Sequence, residues 1–340
     1  MIVSGHSTSD AEVNTENDTV YEDSAAVYSH GINSARGLLS EILGYIVAND
    51  EDGSRTSLVL PVLNQLASDR SIAVRSCSAY LISACLRHAR PAATEAFGEL
   101  VQASDRLLAC EHVTRLMMYL GNGGAVDIVR PVVEQMFVSN HADVKEAGGR
   151  LAGFAGLEWG QRDLLVAARS SEEAALRTGV ATICASHLTR STDTATAVET
   201  LLLLMNDQDH GVRQAVAQVA GRLRDERLRP YIRLLRDLIA SDTYHLALPQ
   251  LLITLGAAPD RVDTLATECA RRFVDLFGKD ASDMSTSAAG EAREVGQLVL
   301  RAYAQATTSG ARSEALDLVD ELLTVSAIGF ADLVNAAERN

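Results

Sequence analysis

The sequence predicts an all-α fold of helices paired antiparallel, and three observations carry that reading. From Gly31 onward apolar residues recur at three- and four-residue spacings, as in SARGLLSEILGYIV, where Leu38, Leu39, Ile42, Leu43 and Ile46 give the apolar stripe of a helix. Hydrophobic residues make up 47% of the chain and aromatics only 4%, a balance that suits close-packed helices better than sheets. Finally, one helix design recurs, with a period of about 35 residues.

Residues 1–30 carry Asp10, Glu12, Glu16, Asp18, Glu22 and Asp23, many Ser and Thr, and no Lys or Arg. This segment is expected to be a disordered acidic arm or linker. Residues 31–340 are expected to be helical throughout. The breaks NDEDGS, SDR, GNGG, SSEE, NDQDHG, SDT, AAPDR and DASDMSTS separate apolar runs of helix length, and each supplies turn formers or N-cap residues. Breaks this short imply neighbours packed as hairpins.

The recurring design is visible when Val74, Val144, Leu176 and Val212 are each taken as zero. The next residue is a cation every time: Arg75, Lys145, Arg177 and Arg213. Three after zero come the small residues Cys77, Ala147, Gly179 and Ala215, and seven after zero the aliphatic Leu81, Leu151, Ile183 and Val219. Five before zero stand Asp69, Ser139, Ser171 and Asp207, expected to be helix N-caps. Pro61, Pro131 and Pro230 are expected to bend the preceding helix of each pair. Such a period implies stacked units, each unable to bury its apolar face alone. About eight pairs are expected in a right-handed arc, with a divergent C-terminal cap from about residue 260.

The segments SDRSIAVRSCSAYL, SNHADVKEAGGRL and NDQDHGVRQAVAQV resemble the start of the second helix in HEAT and armadillo-like repeats. That resemblance implies a HEAT-like α-solenoid. GINSARGLLSEILGYI, followed by SIAVRSCSAYLISACLRH and LLACEHVTRLMMYL, further resembles the C-terminal helical region of large bacterial ATP-binding proteins, some of which act in anti-phage defence. This second resemblance implies a sensing or docking part whose partner is another protein or the remainder of a larger ATP-binding protein. The NTPase itself is not expected here, since no G-x-x-x-x-G-K-[ST] occurs and the one Gly-Lys, Gly278 and Lys279, runs into Asp280.

Charge and motifs narrow the chemistry. A net charge of −15 weighs against a nucleic-acid partner, because phosphate rewards cationic surface. No apolar run is long enough to cross a membrane, and MIVSGHSTSD lacks the basic and apolar regions of a secretory leader, so a cytoplasmic location is expected. Cys77, Cys85, Cys110, Cys184 and Cys269 are odd in number and never spaced C-x-x-C, which argues for buried thiols. Cys85 with His88, and Cys184 with His187, have metal-ligand spacing but occupy different repeat columns. They are read as core or surface residues, as is Cys110 with His112, and no metal or cofactor is expected.

The ladder Arg75, Lys145, Arg177 and Arg213 could grip phosphates or an acidic peptide, but is read first as structural, each cation meeting an acid or carbonyl near its turn. A positive groove built from these and Arg115 would instead favour nucleic acid. GNGG at 121–124 reads as a helix end, and LLLLM at 201–205 as a buried one. No catalytic motif is found, and the expected function is non-enzymatic protein–protein scaffolding. The rival is a HEAT-like glycosylase, lyase or DNA-binding module, for which Trp159 beside Glu158 is the one place to look.

Overall fold

The expected breaks become the turns of an all-helical chain. The computed structural model describes residues 21–325, and among these no strand occurs. Residues 1–20 of the expected arm, and the end of the expected cap beyond residue 325, lie outside the described residues. The arm's boundary requires correction: Ser24–Ile32 is a helix, α1, with Asp23 as N-cap and with Val27 and Gly31 buried. Asp23 accepts from Ala26 N–H to start the helix, and Gly31 lets it pack closely, since a Cβ there would lie 2.3 Å from Ala73 O.

The chain divides into two units, with the boundary between Ile183 and Cys184, inside α11 (Ala174–His187). The first unit continues from α1 with α2 (Ala35–Ala48), α3 (Ser54–Ala67), α4 (Ile72–Cys85), α5 (Arg90–Leu100), the single turn α6 (Asp105–Leu108), α7 (Glu111–Asn122), α8 (Val126–Phe137), α9 (Ala142–Glu158) and α10 (Arg162–Arg169). Contacts run between chain neighbours and next neighbours: α4 packs on α2, α3, α5 and α7, while α7 and α9 pack on each other and both on α8. The second unit holds α12 (Thr194–Leu204), α13 (His210–Ala217), α14 (Val219–Arg222), α15 (Ile232–Ala240), α16 (Tyr244–Ala257), α17 (Asp263–Phe277), α18 (Ser287–Gln305) and α19 (Ser309–Thr324). There α12, α15, α17 and α19 contact in succession, as do α13, α16 and α18 with α14 beside α16.

The repeated columns are buried as a core stripe should be. Val74, Val144 and Val212 are fully inaccessible, as are Cys77, Ala147, Leu81, Leu151 and Val219. Each large aliphatic side chain so buried contributes about 1.5–3 kcal/mol. The small residue is needed because backbones meet there: a Cβ at Gly179 would lie 2.0 Å from Glu146 O, and one at Gly149 would lie 2.1 Å from Leu176 O.

Three expectations shift in detail. The true N-caps lie three residues before zero, at Ser71, His141 and Asp209. The side chains five before zero fold the turn instead: Asp69, Ser139, Ser171 and Asp207 accept from the amides of Ser71, His141, Glu173 and Asp209. This two-residue reach is the Asx or ST turn these residues favour. Pro61 and Pro131 do lie inside helices, α3 and α8, but Pro230 opens a 3-10 turn at Arg229–Tyr231 ahead of α15, where its missing N–H costs nothing.

The third shift is the largest. Most of the apolar stripe of α2 is outside: Leu38, Ile42 and Ile46 are exposed, with Tyr45 beside them, and Leu39 and Leu43 are half-buried, while Gly37, Ser40, Glu41, Gly44 and Val47 are buried. The small face wins because it permits close approach. A Cβ at Gly37 would lie 2.1 Å from Gly31 O, and one at Gly44 would lie 2.5 Å from the Tyr80 ring.

Candidate functional site

The cation ladder sits against the turns. Arg75 donates to the carbonyls of Asp69, Ser68 and Gln102. Arg177 donates to Ser171 O at 2.8 Å and Glu172 O at 2.9 Å, and Arg213 to Asp207 O at 2.6 Å and Gln208 O at 3.0 Å. In all three an arginine reaches back six residues to a carbonyl left over where the chain enters the helix. Lys145 instead pairs with Glu173 at 2.8 Å. Sequence reasoning missed a further case, Arg312, whose Nε donates to Ala306 O at 3.2 Å at the start of α19. Arg115, the other residue of the imagined groove, is paired with Glu111 on its own helix.

The structure gathers a different group of side chains on α1, α2, α4 and α7. Glu41, only 7% exposed, places its carboxylate 3.2 Å from His112 Nε2. The imidazole stacks on Tyr80, with ring centroids 5.3 Å apart, and meets Tyr28 edge-on at 4.9 Å. Tyr80 in turn meets Tyr45 edge-on at 5.2 Å. Burial first, and then the negative charge of Glu41, pushes the Tyr28 hydroxyl up to about 12 and the Cys77 thiol to about 12. Burial also raises Tyr80. These three groups therefore stay protonated near neutrality. Around this cluster Leu38, Ile42, Tyr45 and Ile46 of α2 are exposed, as is Tyr119 of α7, which lies close enough to Tyr80 to act on its hydroxyl. The signal available in sequence was the pairing of small and large residues on opposite faces of α2, with Gly37 and Gly44 one side and Tyr45 the other.

The remaining sequence candidates do not converge. Cys85 is buried, and the His88 ring contacts Asp50 O at 3.0 Å. Cys184 is buried as well, and Cys110 contacts Ser24 O. No group of three His, Cys, Asp or Glu side chains able to hold a metal exists among the described residues. Trp159 caps α9, donates from Nε1 to Asn122 Oδ1 at 2.8 Å, and lies over Gly121, whose added Cβ would be 2.2 Å from the indole. GNGG ends α7, with Gly124 at φ +88° closing the turn. In LLLLM, Leu201, Leu204 and Met205 are buried but Leu203 is 60% exposed. No described helix is long and apolar enough to cross a membrane.

No protein-family model matches the chain. No curated protein matches it. Among solved structures it is similar to an engineered protein whose crystal structure comes from the Northeast Structural Genomics Consortium, at 12% identity over 89% of each chain and a TM-score of 0.37. That likeness is too slight to bear on fold or function.

Proposed function

We propose that this chain is a HEAT-like solenoid acting as a non-enzymatic docking module, which receives a protein partner on the face formed by α2, α4 and α7. The observation that carries the reading is the inverted α2: a helix that buries glycines, Ser40 and Glu41 while presenting Leu38, Ile42, Tyr45 and Ile46 to water. Contiguous exposed apolar surface of this kind marks interaction sites, and tyrosine is enriched in them. The solenoid reading rests on the repeated columns and on next-neighbour packing within each unit. A cytoplasmic place in a bacterial NTPase-based defence assembly rests on the resemblance of the quoted segments alone.

The rival nucleic-acid reading gains nothing from the ladder, whose arginines are engaged by carbonyls and whose lysine meets a carboxylate. A photo-crosslinking residue at Tyr45, in lysate of the native host, tests the docking reading. The expected result is a defined protein adduct that disappears when Ile42→Glu is added and does not form from a control position at Leu58. No adduct, together with turnover of a small molecule by the pure chain, overturns it.

A further inference from the structure

The same face ends in a cleft of different chemistry. Between α4, α5 and α7 a hollow of about 290 Å³ is lined by Arg87, Arg90, Asn122 and Gly123 together with Ser83, Leu86 and Tyr119, and no carboxylate lines it. In a chain of net charge −15 this is unusual. Arg87 is oriented by donating to Asp50 O at 3.2 Å, and neither Arg87 nor Arg90 pairs with a carboxylate among the described residues. Arg90 extends over Gly123, where an added Cβ would lie 1.9 Å from its guanidinium, so the glycine at that helix end leaves the space the arginine occupies. Tyr119, 48% exposed, belongs both to the cleft and to the apolar face.

We propose that this cleft binds the carboxylate of an Asp or Glu side chain in a partner peptide whose apolar residues lie along Tyr45, Tyr80 and Tyr119; the inference rests on the docking reading above. Guanidinium groups are suited to bind carboxylates with two parallel hydrogen bonds, and an apolar row alongside supplies the desolvated contact that makes such a bond count. A polynucleotide is disfavoured because two arginines on a strongly acidic chain neutralise few phosphates. A basic peptide would meet like charge.

Panning a phage-displayed random 16-residue library against the full chain provides the probe, followed by fluorescence anisotropy of the enriched peptides. The expected result is a motif of apolar residues beside Asp or Glu. Its affinity falls about ten-fold in Arg90→Gln and further in Arg87→Glu, with circular dichroism unchanged. Enriched peptides without acidic residues, lost in Ile42→Glu but indifferent to Arg90→Gln, overturn the carboxylate site and leave the docking face standing. An absence of enrichment overturns both. So does displacement of the peptides by a 20-residue oligothymidylate at equal concentration.

Discussion

At the scale of single residues, the buried carboxylate of Glu41 has the most at stake. Its nearest basic group is His112, whose ring also packs against Tyr28 and Tyr80, so removing it leaves a cavity and takes a polar partner from a buried carboxyl group. His112→Ala is therefore expected to destabilise the fold by about 3 kcal/mol, with much of that regained in Glu41→Gln/His112→Ala. Urea denaturation of the three variants checks this, and an equal loss in the single and double variants would contradict it. Asp50 supplies the pH-dependent case. Burial would raise its carboxyl, but the Thr56 hydroxyl and amide outweigh that and hold it well below the usual carboxylate range. A depressed folded value means the contribution is complete above the unfolded pKa and is lost as pH falls below it. Asp50→Asn should thus lower the urea midpoint at pH 7, and its deficit should shrink as pH is taken from about 5 toward 3.

At the scale of the element, α2 separates two readings of one helix. If the large apolar residues were its core face, Ile42→Glu would unfold the first unit. Because Ile42 is exposed, the substitution is expected to change stability by no more than about 0.5 kcal/mol, whereas Val74→Glu, on the buried face of α4, should prevent folding. Thermal melts of both decide the matter. The site shared this fate. In the sequence His112 stands out only as a neighbour of Cys110, and Tyr28, Glu41, Tyr45 and Tyr80 belong to no local motif. The five are spread over four helices, α1, α2, α4 and α7, and only packing through Gly31, Gly37 and Gly44 brings them together. The ladder was easier, since an arginine bonding six residues back obeys a purely local geometry.

At the scale of the whole molecule, all five cysteines are buried and free. Burial pushes Cys85 up to about 11 and Cys269 to about 12, with Cys110 raised as well, so these thiols are neutral as well as shielded. Native protein at pH 8 is expected to gain no N-ethylmaleimide adduct over the time in which the urea-unfolded chain gains five, read by intact mass.

The sequence by itself determined that the chain is helical, where its turns fall and which columns recur, because periodicity, turn chemistry and capping act over a few neighbouring residues. It could not determine which face of α2 is inside. Hydrophobicity alone favours burying Leu38 and Ile42, but the free energy also depends on how closely two helices approach, and that distance is set by glycines facing residues far along the chain. Tertiary structure decided in favour of the small face, and in doing so it left the large one available.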